Sequence, residues 1–230
     1  MQGIYVRQLL GYFQKNLWRR SNLKFLIIQP KLEKGVAQIE NELRNHPSAD
    51  AVIFPEGYLN ENVAQACRLA KTYNKILIGG YRRLSESPKD RAIIISRTGE
   101  IVLDRVKYSD TAFATVDNFK IGHILCDELV RQGMRSADTS GMDLIVHPIG
   151  VGMFSDEQFE EWIHAAREIA ITYQTKVIGT SHADGSFRGG SVSIPIAYGI
   201  DEHGDSLFIS KNDVRTRILE LEKQEEFHTK

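Results

Sequence analysis

The chain has 230 residues, 42% of them hydrophobic and 26% charged, enough to bury a large core as a single globular unit. Its 29 Lys and Arg nearly cancel its 30 Asp and Glu, so no global field favours nucleic acid or an acidic membrane, and a small, discrete substrate is expected. There is no apolar run of bilayer length and no secretory core at the start, so the cytoplasm is the expected compartment, and there Cys67 and Cys126 stay unpaired thiols.

Residues 1–22 carry Val6, Leu9, Leu10, Phe13 and Leu17 at helical spacing with Arg7, Lys15, Arg19 and Arg20 around them. This predicts an amphipathic extension that docks on this protein or on a second subunit rather than on a membrane. Residues 24–29 read as a buried strand, and Pro30 then opens a predicted helix with Leu32, Val36, Ile39 and Leu43 on one face. The strand-helix pattern recurs in the apolar run 51–54, the helical stripe Val63, Ala66, Cys67 and Ala70, and the strand 76–80. Such alternation indicates an α/β layered fold. Arg97-Thr98-Gly99-Glu100, between the apolar runs 92–95 and 101–103, has the chemistry of a hairpin turn and makes the sheet mixed. Further strands are predicted at 119–125, 143–147, 176–180 and 191–197. A helix carries Phe159, Trp162, Ile163, Ala166, Ala170 and Tyr173 on one face. From Asp213 to the end, Val214, Ile218 and Leu221 suit a charged helix at an edge or dimer interface. The expected division is thus an extension over 1–22, one domain over 23–212 and a helix over 213–230, with two sheets covered by helices.

Catalytic groups on α/β scaffolds gather where strands stop. Glu56 follows the apolar run 51–54 directly, in a turn fixed by Pro55 and Gly57. Lys107 ends the strand that begins at Ile101, where an amine is either paired with a carboxylate or used as a cationic stabiliser. Cys126 ends the strand 119–125, with a helix predicted from Asp127 to about Arg135, so its thiol should feel a helix N-terminus and a nearby ammonium, both of which lower its pKa.

Phe54-Pro55-Glu56-Gly57-Tyr58, Arg105-Val106-Lys107, Ile121-Gly122-His123-Ile124-Leu125-Cys126-Asp127 and Asp143-Leu144-Ile145-Val146-His147-Pro148, together with Leu26-Ile27-Ile28-Gln29, stand in a fixed order. Over residues 24 to 210 this series resembles the carbon-nitrogen hydrolase (nitrilase) superfamily. The resemblance implies a four-layer α-β-β-α sandwich of two mixed sheets and a homodimer or higher homo-oligomer. It also implies a Glu56, Lys107 and Cys126 triad that cleaves a small amide, carbamoyl compound or nitrile through a thioester, with no metal or organic cofactor. It assigns an oxyanion contact to the backbone N–H of Asp127, and Tyr58, His147 and His182, the last placed after Thr180-Ser181, are expected at the substrate pocket. One departure stands out: the eighteen residues between Lys107 and Cys126 are fewer than the family usually carries. They contain no Glu where the family often places a second one, which leaves Asp110 and Asp117 as acidic candidates.

Each residue also has a plainer reading. Cys126 alone could be a small core residue, and Glu56 with Lys107 a buried ion pair; Cys67, on the apolar face of its helix, reads as core. His123 lies three residues before Cys126, a spacing that on a strand points the two side chains to opposite faces and disfavours a Cys-His dyad. His147, His164 and His182 lack metal-ligand spacing. Gly150-x-Gly152 and the Gly79-Gly80 and Gly189-Gly190 pairs read as turns. Two alternatives to hydrolysis remain open at this point: a binding module that keeps the fold, and an acyl or amide transferase.

Overall fold

In a computed structural model the described residues are 22–110, 113–134, 141–187 and 191–222. In chain order they form β1 (Asn22–Ile27), α1 (Ala37–Asn45), β2 (Ala51–Ile53), α2 (Val63–Tyr73), β3 (Ile76–Arg82), β4 (Asp90–Ile95), β5 (Ile101–Val106), β6 (Phe113–Val116) and β7 (Phe119–His123). There follow α3 (Glu128–Arg131), β8 (Leu144–Ile149), α4 (Asp156–Tyr173), β9 (Lys176–Ser181), β10 (Ser186–Phe187), β11 (Ser191–Val192), β12 (Ile196–Ile200), β13 (Ser206–Lys211) and β14 (Arg217–Glu222). The predicted extension over 1–22 lies almost wholly outside the described residues, as do Arg135 and the Gly189-Gly190 pair.

Two six-stranded mixed sheets stack face to face, ordered β14-β1-β2-β3-β4-β5 and β13-β12-β9-β8-β7-β6. Their inner faces meet through Phe25, Ile27, Ile53, Ile78 and Ile94 from one sheet and Phe119, Ile121, Leu144, Val146 and Ile178 from the other. The outer face of the first sheet packs under α1 and α2 with Leu26, Val52 and Leu77, and that of the second under α4 with Ile145, Val177 and Tyr198. Residues alternate between the two faces along each strand because the strand period is two, and both faces are covered, so these central strands are apolar throughout. The four layers are those expected.

The strands that lead to the predicted site residues run one way within each sheet. β1, β2 and β3 are parallel, β4 reverses and β5 reverses again, so β5 ends where β3 ends; β7, β8 and β9 are parallel in the other sheet. At this end polar groups stitch the sheets together. The His123 ring lies 2.9 Å from the Gly79 carbonyl through Nε2, and the Thr180 hydroxyl donates to the Ile28 carbonyl at 2.9 Å.

Several elements depart from the sequence reading. The segment after Pro30 is irregular until α1 begins at Ala37, and Leu32, placed on the helix face, is exposed. Here the backbone is held by tertiary bonds: the Glu33 and Lys34 carbonyls accept from the side-chain amides of Asn60 and Asn62. The run 191–197 is broken, and β12 starts only after Pro195, which cannot donate to a ladder. The predicted C-terminal helix is overturned where it is described, because residues 217–222 form β14, paired antiparallel with β1 from Arg217↔Ile27 to Asn22↔Glu222. Residues 223–230 lie outside the described residues.

Candidate active site

Glu56, Lys107 and Cys126 follow β2, β5 and β7, and the topology brings these three strand ends together. The Lys107 ammonium lies 2.8 Å from Glu56 Oε1 and 2.8 Å from Asp127 Oδ1, so one cation bridges two carboxylates. The Cys126 thiol is electrostatically coupled to both members of the Glu56–Lys107 pair: the carboxylate opposes its ionisation and the ammonium favours it. Cys126 is half-buried, with φ at +47°, a left-handed conformation that costs an L-residue about 1–3 kcal/mol and that the surrounding structure must hold in place. Its own N–H donates to the Pro148 carbonyl at 2.9 Å.

No protein-family model matches the sequence, and no curated protein does. Solved structures do match, over most of the chain. A carbon-nitrogen hydrolase from Helicobacter pylori G27 superposes with a TM-score of 0.73 at 16% identity, covering 88% of this chain and 90% of that one. Nit3 of Saccharomyces cerevisiae, a nitrilase-superfamily member, gives 0.70 at 15% identity over 87% and 90%. A mutant of the amidase from Nesterenkonia sp. AN1, bearing the acetamide moiety of fluoroacetamide on its active-site cysteine, gives 0.73 at 12% identity over 90% and 93%. The chain has the carbon-nitrogen hydrolase fold.

On this fold the electrostatics of the cluster follow from burial. Desolvation raises the Cys126 thiol, the Glu56 carboxylate raises it further, and Lys107 pulls it back only in part. The expectation of a lowered thiol is therefore overturned: α3 is a single turn, and the ammonium is shared with two carboxylates. Burial raises Glu56 as well, against the pull of Lys107. For Lys107, burial is outweighed by Glu56, Cys126 and Asp127, and its pKa rises. For Asp127, burial is outweighed by Lys107 and Tyr108, and the carboxyl falls below its usual range.

The remaining anticipated residues divide. Asp127 lies in the cluster, its Oδ2 accepting from the Tyr108 hydroxyl at 2.9 Å and pairing with Arg131 at 2.7 Å. Asp117 is elsewhere, paired with Arg97, and Asp110 is exposed; the carboxylates that pair with Lys107 are Glu56 and Asp127. Both nitrogens of His147 are engaged. Nδ1 lies 2.5 Å from the Tyr198 hydroxyl and Nε2 lies 2.8 Å from the Cys126 carbonyl, which sets the neutral tautomer protonated on Nε2; burial lowers the ring to about 4. His182 sits between the Glu56 and Pro30 carbonyls, 3.2 and 3.3 Å away, and burial lowers it to about 4 too, so its single proton can serve only one of them. Tyr58 turns away, its buried hydroxyl donating to Glu33 and accepting from the Ile39 N–H.

Two further residues border the cluster, and of these the sequence marks only Glu128, as a departure from the family pattern after Asp127. Gly150 was read as a turn, yet a Cβ there would lie 2.6 Å from Glu56 Oε2. Glu128, directly after Asp127, forms a buried bidentate pair with Arg105, both contacts at 2.7 Å. The adjacency of Glu128 to Asp127 in sequence was visible, whereas neither the Gly150 nor the Arg105 contact leaves a local signal.

Proposed function

We propose that this chain hydrolyses carbon–nitrogen bonds other than peptide bonds, with Cys126 as nucleophile, Glu56 as general base and acid, and Lys107 as the cationic stabiliser. The observation that carries this reading is the meeting of a thiol, a carboxylate and an ammonium at three strand ends, with the ammonium 2.8 Å from Glu56 and 2.8 Å from Asp127, the residue next to Cys126.

Because the thiol is raised, attack needs a base at the moment of reaction. Glu56 takes the Sγ proton as sulfur bonds to the carbonyl carbon of a small amide or carbamoyl compound, or to a nitrile carbon. The developing oxyanion is met by Lys107 and by the Asp127 N–H, which makes no hydrogen bond among the described residues. In the amide case the C–N bond breaks as Glu56 returns the proton to the leaving amine, and Glu56 then deprotonates water to release the acid from the thioester. A carboxyl raised by burial suits both duties near neutral pH.

The test measures iodoacetamide alkylation of each cysteine by intact mass and peptide mapping from pH 5 to 9. With Glu56 as base, the Cys126 rate rises through the Glu56 titration and then levels off. Cys67, raised mainly by its own burial, climbs about tenfold per pH unit across the range. Glu56→Gln removes the plateau, and Cys126→Ala abolishes ammonia release from a panel of small amides and nitriles. A Cys126 profile with no plateau, unchanged in Glu56→Gln, sinks the reading.

A further inference from the structure

One buried carboxylate accepts a backbone N–H from each of two turns beside the reacting groups, at Tyr108 and at Leu125, the residue before Cys126. Glu128 is 1% exposed and Arg105 4% exposed, and they face each other through two contacts of 2.7 Å. Glu128 Oε1 also accepts from the Tyr108 N–H at 2.5 Å, and Oε2 from the Leu125 N–H at 2.6 Å. Arg105 donates onward to the His123 carbonyl at 3.0 Å and to the Val106 carbonyl at 3.3 Å. The two residues thereby hold both neighbours of Lys107, and the residue before Cys126 together with the end of its strand.

Tyr108 and Cys126 both have positive φ, at +69° and +47°, so each turn would relax if its flanking N–H were released. We propose that the Arg105–Glu128 pair is a positioning clamp that fixes the Lys107 turn against the Cys126 turn and so sets the relative placement of ammonium and thiol. The proposal rests on the reading of Cys126 as nucleophile. An apolar pair could fill the same volume, and buried ion pairs are often no better than such a replacement for stability. No apolar pair could receive two backbone N–H groups. Gln cannot do so either: all four acceptor directions of the carboxylate are met by donors, so an amide NH2 would face another N–H whichever way it turned. Lys at 105 would keep the charge but lose the fork that reaches Glu128 and the His123 carbonyl together.

The experiment compares wild type, Glu128→Gln and Arg105→Lys in the same alkylation assay, with Cys67 as internal reference. Cys67 lies on α2 on the far side of the first sheet from the Cys126 turn, so general loosening of the fold speeds both thiols. Loss of the clamp acts on Cys126 alone. The expected result is a fall of about tenfold or more in the Cys126 rate relative to Cys67, with loss of the plateau, at an unchanged Cys67 rate. Variants that keep the wild-type ratio and plateau overturn the clamp. So do variants recovered only as unfolded chain, which would make the pair a requirement of folding and not of site geometry. A wild type that itself lacks the plateau instead refutes the nucleophile reading, so the two failures are distinct.

Discussion

Gly150→Ala is the most local perturbation of the site. The new Cβ would lie 2.6 Å from Glu56 Oε2, but 3.6 Å from Glu56 Cδ and 3.8 Å from its Cβ, so only the carboxylate oxygen is in the way. To reach an ordinary contact of 3.4 Å the oxygen must retreat by about 0.8 Å, and its freedom is limited by Lys107 at 2.8 Å from the other oxygen. Gly150 does not have positive φ, so Ala meets no backbone penalty and the damage is confined to the carboxylate. Overpacking of this size costs about 1–3 kcal/mol of stability, whereas a misplacement approaching 1 Å in a reacting group costs about a hundredfold in rate. The Cys126 alkylation rate on its plateau should therefore fall by about two orders of magnitude while thermal unfolding remains cooperative and moves by a few degrees. A rate within about threefold of wild type, with the plateau intact, would refute the argument that Glu56 must sit where only glycine admits it.

Two further outcomes are expected. Since Cys126 holds φ +47°, Cys126→Gly should be more stable than Cys126→Ala by about 1 kcal/mol in urea unfolding, and equal midpoints would mean that no strain is stored at position 126. His147 and His182 are lowered from 6.5 to about 4 by burial, so the unfolded chain takes up protons first as pH falls. Their stabilisation is complete above pH 6.5 and drains toward pH 4 by about 3 kcal/mol each. The raised Glu56 acts with the opposite sign in both proteins compared, so His182→Gln should flatten the fall of urea midpoint between pH 6.5 and 4, and an unchanged slope would contradict the burial argument.

Elements whose pattern is set locally were legible in the sequence. The helix bearing Phe159, Trp162, Ile163 and Ala166 is capped by the Ser155 hydroxyl, which accepts from the Gln158 N–H, and it occupies Asp156–Tyr173. The β4–β5 hairpin turns at Gly99, whose φ of +86° is cheap only for glycine. β14 was not legible because Val214, Ile218 and Leu221 fit a helical period while Leu219 and Leu221 fit a strand period. Pairing with β1 decides for the strand, turning Leu219 and Leu221 inward against the inter-sheet core. β6 was missed although Asp117-Asn118, both at positive φ, is a two-residue hairpin turn. At the site, each strand-end residue could be named from its own segment. The partners of Glu56 and Glu128 arrive from segments 94 and 23 residues away, at Gly150 and Arg105, and no local pattern carries them.

The placement of Asp127 bears on the chemistry as a whole. With Asp127 below its usual range and Lys107 above, that pair is charged and mutually compensated across the neutral region, whichever form Glu56 takes. In the proposed mechanism Glu56 accepts the thiol proton, and negative charge moves from carboxylate to sulfur and then to the oxyanion beside the one ammonium that Asp127 also pairs with. That transfer would move a proton between two raised acids without changing the net charge of a buried cluster, so desolvation would oppose it less than ionisation of the thiol to solvent. Asp127→Asn separates this from simple packing. It should leave Lys107 tied to Glu56 alone, lower the Glu56 titration, and move the onset of the Cys126 alkylation plateau to lower pH at reduced height. An onset and height equal to wild type would remove Asp127 from the machinery.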